Sequence, residues 1–249
     1  MTRQALRAIA SAALLGLLSS LAAAQDYARE KRWEAEVRGN LVVGDAVTLK
    51  LGSGHAFLAL YTPVKDAKTG IVLVHGIGVH PDHGVIGTLR SALADLGYST
   101  LSIQMPVLAS DAGAEAYTVA VFEEASARIA LAGGWLRARG PADLVLLSHS
   151  LGSRMSLAFL EKTRSTPYAA WVCLGIPADF SGAGALPAPV LDVYGEFDLP
   201  AVRAAAPRRG RRLESIPGSR QVVIAGADHF FNGRETQLTA AIDAFIKAR

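Results

Sequence analysis

The stretch Asp143-Leu-Val-Leu-Leu-Ser-His-Ser150-Leu-Gly-Ser-Arg154 is an apolar run that meets a serine set among small residues. It reads as a buried strand, a sharp turn and the start of a helix, with the Ser150 hydroxyl lifted clear of the sheet. The helix start brings backbone N–H groups beside that hydroxyl. Strand and helix backbones nearly touch at such a turn, so the positions two before and two after the serine must be small. Ser148 and Gly152 meet that need, giving S-x-S-x-G, one step from G-x-S-x-G. Taken alone, the pattern is equally a plain strand-to-helix connection with Ser150 as a helix cap.

Three further segments weigh against the plain connection. The strand Gly70-Ile-Val-Leu-Val ends in His75-Gly-Ile-Gly78, a glycine turn whose N–H groups can point inward. The amides of Ile77 and Leu151 are the expected donors to a developing oxyanion, with His75, Gly76 and Gly78 shaping the turn. Downstream, Ala188-Pro-Val-Leu-Asp-Val-Tyr-Gly195-Glu-Phe-Asp198 reads as a buried strand whose exit carries an acid. Arg220-Gln-Val-Val-Ile-Ala-Gly-Ala-Asp-His229 reads as another strand, ending in a histidine. The order Ser150, Asp198, His229 is that of a nucleophile, an acid and a base at the carboxyl ends of successive parallel strands. Asp198 competes with Asp179, which follows the preceding strand, and the Gly195-Glu-Phe-Asp198 context favours it. Asp192, inside its strand, and Asp228 read as structural. His149 adjoins Ser150 on a strand and so faces the other way; packing or a hydrogen bond is its expected use.

These four segments resemble the α/β-hydrolase superfamily from about Leu41 to the end, and within it the small dienelactone-hydrolase-like and esterase-like bacterial forms. The resemblance implies a mostly parallel central sheet with helices on both faces and no cap domain, since only Pro177–Ala188 separate two strands where larger relatives insert one. It implies a serine hydrolase cleaving a carboxylic ester through an acyl-Ser150 intermediate, with no cofactor and a small-molecule acyl substrate. Acyl transfer to an acceptor other than water would use the same residues, whereas dehalogenase chemistry needs a carboxylate nucleophile. The family usually has glycine at position 148, so Ser148 is expected to strain the turn slightly. That departure keeps open a different class, a non-catalytic envelope binding or assembly protein on the same fold. An open cleft with little steric selection of substrate is expected.

The 249 residues, 51% hydrophobic and 19% charged, suit one globular domain, with strands alternating with helices. Arg3 and Arg7 precede an uncharged Ala/Leu run, and Ala22-Ala-Ala24 before Gln25 offers a small-x-small cleavage site. Residues 1–24 read as an export signal, placing the protein in the periplasm or outside the cell. A retained anchor would need about 20 strongly apolar residues, and this run is shorter, so no lasting membrane insertion is expected. Removing Arg3 and Arg7 leaves 23 basic against 22 acidic residues, a net of +1, which gives no ground for a nucleic-acid partner. The charged residues 25–40 are expected to be a loose lead-in, and strands are expected near Leu41–Val43 and Ala56–Tyr61. Cys173, the single cysteine, sits in an apolar strand as a small hydrophobe. His75, His80, Asp82 and His83 match no zinc spacing, so no metal is expected. Arg208, Arg209, Arg211 and Arg212 read as a solvated surface loop. Oligomeric state leaves no mark in the sequence.

Overall fold

The computed structural model describes residues 25–163, 165–180, 186 and 189–249; the expected export signal lies outside them. Strand β3 (Thr69–Val74) and β5 (Asp143–His149) form the centre of an eight-stranded sheet, and nearly every residue of both is buried, as strands covered on two faces require. The other strands are β1 (Asp45–Lys50), β2 (Ala56–Thr62), β4 (Ser99–Ile103), β6 (Ala170–Leu174), β7 (Val190–Gly195) and β8 (Arg220–Ile224). Their order is β1-β2-β4-β3-β5-β6-β7-β8, with β2 antiparallel to both neighbours and the rest parallel.

Alternation along the strands builds two cores. Val72, Val74, Leu144, Leu146, Trp171 and Cys173 face one side, where they meet α3 (Val119–Arg137) and α4 (Leu151–Lys162). Ile71, Leu73, Val145, Leu147, Leu191 and Val193 face the other, covered by α2 (Gly84–Asp95) and α6 (Glu235–Lys247). Because β3, β5, β7 and β8 run parallel, their carboxyl ends gather along one edge, where open α/β sheets place their sites. No helix among the described residues is long and apolar enough to cross a membrane.

The structure corrects three expectations. Residues expected as a loose lead-in form helix α1 (Tyr27–Asn40), capped by the Asp26 carboxylate, which accepts from the Arg29 amide at 2.8 Å. Its apolar face is slight, since Val37 alone is a buried hydrophobe. What docks it is charge: Glu30, 5% exposed, takes two hydrogen bonds from the fully buried Arg128 of α3, at 3.0 and 3.1 Å. The first strand is Asp45–Lys50 and not Leu41–Val43. Pairing decides this, because Leu49 lies opposite Phe57 in the hairpin while Val42 is 93% exposed. The arginine cluster belongs to helix α5 (Pro200–Leu213). Arg209 is fully buried there, paired with Asp192 of β7 at 2.8 Å, while Arg208 meets Asp179 at the surface.

Truncating one partner of a buried pair strands the other charge. Glu30→Ala should lower the unfolding free energy by about 3 kcal/mol, the low end for such pairs because Glu124 still reaches Arg128. Urea unfolding followed by fluorescence checks this, and a loss below about 1 kcal/mol would show that the pair contributes little to docking α1.

Candidate active site

Ser150 sits between β5 and α4 with φ +56° and ψ −123°, a left-handed angle that a non-glycine residue holds only where its surroundings force it. The force is visible on either side. The Ser150 amide donates to the Leu174 carbonyl at 2.8 Å, and a Cβ built on Gly152 would overlap the His75 carbonyl oxygen. A Cβ on Gly76 would stand 3.2 Å from that of Ser150, a tight contact that glycine avoids where the loop after β3 lies beside the serine.

The structure brings the three expected partners together. His229, at the exit of β8, places Nε2 2.9 Å from Ser150 Oγ and Nδ1 2.6 Å from Asp198 Oδ1. Asp198 also accepts from the amides of Leu199 at 2.8 Å and Gly195 at 3.1 Å. Burial pushes its carboxyl upward, but the hydrogen bonds from His229 and these amides outweigh burial and hold it below the usual carboxylate range. Asp179 is turned away toward Arg208, and Asp228 caps the turn that follows it through the Phe230 amide.

His75 fixes the glycine loop. Its Nε2 accepts the Met105 N–H at 2.9 Å, so Nδ1 carries the proton and donates to the Gly76 carbonyl at 2.8 Å. In a trans peptide the carbonyl and the following N–H point opposite ways, so this bond turns the Ile77 N–H away from the His75 ring. Among the described residues neither the Ile77 nor the Leu151 N–H has an acceptor outside the helices and strands. Burial pushes the His75 pKa down to about 3, which keeps the ring neutral. His149, on the α2 and α6 side of β5, donates or accepts through Nε2 at the His229 carbonyl, 2.9 Å away; since a carbonyl only accepts, His149 is the donor. Its ring lies 4.9 Å from that of His229, and burial, followed by the His229 charge, lowers its pKa to about 4.

Ser148 is fully buried, and its Oγ accepts the Trp171 indole N–H at 2.8 Å. The hydroxyl thus satisfies a donor that glycine would leave unpaired, and the left-handed angle falls on Ser150 instead. Cys173 is buried in β6, where burial and then Asp192 push its thiol well up. Of the possible metal ligands, His75 is bonded to backbone on both nitrogens, His80 Nδ1 accepts the Asp82 amide, and Asp82 pairs with Arg90.

A pocket of about 230 Å³ opens over the serine, lined by Ile77, Val79, Val85, Ile86, Leu199 and Phe230 along with His75, His83, His149 and His229. Met105, Val107 and Leu108 are buried in the body of the protein, outside the pocket lining, and the described residues contain no cap domain. The start of α2, through Val85 and Ile86, supplies an aliphatic wall of the cleft. Of these lining residues, Val79, Val85, Ile86, Leu199 and Phe230 carry no sequence signal beyond proximity to a motif.

The strand order, the site at the carboxyl edge and the turn at Ser150 together define an α/β-hydrolase fold. Solved structures agree. The chain is similar to a dienelactone hydrolase from Anabaena variabilis (20% identity, 82% of this chain and 96% of that one, TM-score 0.67). It is also similar to a lidless α/β serine hydrolase from Xanthomonas campestris (19%, 83% and 95%, 0.65) and to an esterase from Pyrococcus furiosus (12%, 83% and 97%, 0.63). A family described as a protein of unknown function (DUF3530) matches residues 8–121, less than half of the chain. No curated protein matches it.

Two outcomes follow from these contacts. Ser148→Gly orphans the buried indole N–H and frees the backbone, so it should cost about 2 kcal/mol in urea unfolding; an unchanged midpoint would mean that Trp171 finds another acceptor. The folded pKa of His149 lies below its ordinary 6.5, so as pH falls below that value the unfolded chain binds the proton first and stability drops. His149→Gln can keep the bond to the His229 carbonyl without titrating. Between pH 6 and 5 it should lose stability less steeply than wild type, by about 1 kcal/mol per pH unit. Parallel stability curves for the two proteins would contradict the neutral buried ring.

Proposed function

We propose that this protein is a serine hydrolase that cleaves carboxylic esters of short acyl chains through an acyl-Ser150 intermediate. The observation that carries the reading is the hydrogen-bond chain from Ser150 Oγ through His229 to Asp198, at 2.9 and 2.6 Å. His229 Nε2 takes the serine proton as Oγ attacks the carbonyl carbon, and Asp198 holds the tautomer and stabilises the imidazolium. The amides of Ile77 and Leu151 receive the oxygen as it gains charge. Collapse of the tetrahedral intermediate expels the alcohol, which takes the proton back from His229, and water activated by the same ring then frees the acid. Water and a second alcohol are equivalent acceptors for the acyl group in this scheme.

The pocket volume supports the acyl length. At about 230 Å³ it exceeds the roughly 150 Å³ cavity that holds a benzene-sized molecule, yet falls short of the ~300–1,000 Å³ of drug-sized sites. The doubt that favoured a non-catalytic protein, a side chain at position 148, loses its force because that side chain has a partner of its own. The proposal extends to export. Residues 1–24 would be removed after Ala24, and a purified mature protein should give an amino-terminal peptide beginning at Gln25.

A fluorophosphonate probe should label the mature protein, and labelling should vanish in Ser150→Ala. Asp198→Asn should reduce kcat for a butyryl ester by about 10⁴-fold, the scale seen when a triad loses the group that fixes its histidine. The ratio kcat/KM should fall from butyryl to dodecanoyl esters. A probe that labels wild type and Ser150→Ala alike would overturn the reading, and a preference for long acyl chains would overturn the substrate class.

A further inference from the structure

Helix α1, outside the sheet and outside the motif set, reaches the oxyanion loop through one side chain. Arg29 donates from Nη2 to the Gly78 carbonyl at 3.1 Å and from Nη1 to the Leu108 carbonyl at 3.0 Å. The guanidinium therefore bridges the loop that follows β3 and the segment that follows β4. It lies 4.4 Å over the Trp33 ring, one turn further along α1, and Trp33 in turn meets the edge of His80 at 5.9 Å. Gly78 has φ +65°, and a Cβ there would stand 3.9 Å from the Arg29 guanidinium. The loop thus carries three carbonyl grips: His75 on Gly76, Arg29 on Gly78 and Gln104 on Val79. His75 and Gln104 belong to the sheet's own edge, so Arg29 is the grip supplied from the amino-terminal segment.

We propose that Arg29 is a positioning residue for the oxyanion donor. The Ile77 N–H shares its peptide plane with the Gly76 carbonyl that His75 holds, and Arg29 holds the Gly78 carbonyl two planes further on, so the two grips bracket the turn from Gly76 to Gly78. With the Gly78 carbonyl released, the far end of the turn can rotate about the Ile77 and Gly78 backbone angles, the His75 bond alone is left to hold the first plane, and the N–H loses its fixed line toward the acyl oxygen. A planar fork that spans two carbonyls suits this task, and a lysine ammonium cannot hold both in one geometry. Helix α1 is itself fixed close to Arg29, by the Asp26 cap, by the Asp26 amide on the Val107 carbonyl at 2.8 Å and by Glu30 on Arg128. The buried ion pair described above therefore serves the site at one remove. This inference rests on the serine-hydrolase reading of Ser150.

The test compares an oxygen ester with its thionoester, whose developing negative charge sits on sulfur and gains little from amide hydrogen bonds. Arg29→Ala should lower kcat for the oxygen ester about 10-fold, with KM near wild type and with the thionoester rate nearly unchanged. Added guanidinium ion should restore part of the lost kcat. Glu34→Ala, which breaks the exposed Glu34–Arg38 pair on the same helix, should leave both rates as they were. If Arg29→Ala does not fold, Trp33→Leu removes the ring beneath the guanidinium and should give the same selective loss in smaller measure. Equal losses for both esters, a change confined to KM, or an unchanged kcat in the folded variant would overturn the inference while leaving Ser150-dependent hydrolysis standing. A wild-type protein that turns over neither ester through Ser150 would overturn the hydrolase reading, and this inference with it.

Discussion

The approach of the α4 amino terminus to the end of β3 governs the architecture of the site. Gly152 packs against the His75 carbonyl so closely that no side chain fits between them. That contact sets how far β5 and α4 stand from the neighbouring strand, and with it the position of the Ser150 hydroxyl relative to the glycine loop. The left-handed backbone at Ser150 is its consequence, since the chain must reverse within one residue to pass from strand to helix. The strain is offset by the two cores on either side of the central strands, whose buried aliphatic residues leave the turn no slack to relax into.

Four imidazoles line this edge, and three of them, His75, His149 and His229, differ in their hydrogen-bond partners. His75 and His149 are buried and held neutral, each with a nitrogen committed to a backbone carbonyl. His229 alone among them faces a carboxylate on one side and the serine on the other. Neutral neighbours matter, for a second positive charge 4.9 Å away would oppose formation of an imidazolium at His229. Two of these histidines are thus tied to backbone carbonyls, and the third is the one bonded to both Ser150 and Asp198.

Buried charge holds the outer parts of the molecule to this edge. Arg128 gathers Glu30 and Glu124 and ties α1 to α3, while Arg209 ties α5 to β7 through Asp192, a strand residue six positions before Asp198. Such pairs are costly to desolvate and are weak evidence for stability as such. Their worth here is placement, because the first fixes α1, a helix with little apolar surface, against α3, and the second fixes α5 against β7.

The fold and the grouping of Ser150, Asp198 and His229 were legible in the residues because both are written locally. Apolar runs of strand length, the glycines at 76, 78 and 152, and the order of Ser150, Asp198 and His229 each follow from what a short segment must do at a strand end. The glycine loop needed no partner to be recognised, only backbone freedom at named positions. What the sequence left out depends on residues far apart in the chain. Helix α1 was missed because its apolar pattern is faint and its docking comes from Arg128, ninety-eight residues away. The arginine cluster reads as solvated until Asp192 is seen to pair with Arg209, and the Ser148 hydroxyl finds its donor in Trp171 of the neighbouring strand. Local sequence determines which backbone turns are possible and which groups can react. Only the tertiary structure decides which polar groups are left without water, since burial and partnership are properties of the packed chain and not of any segment of it.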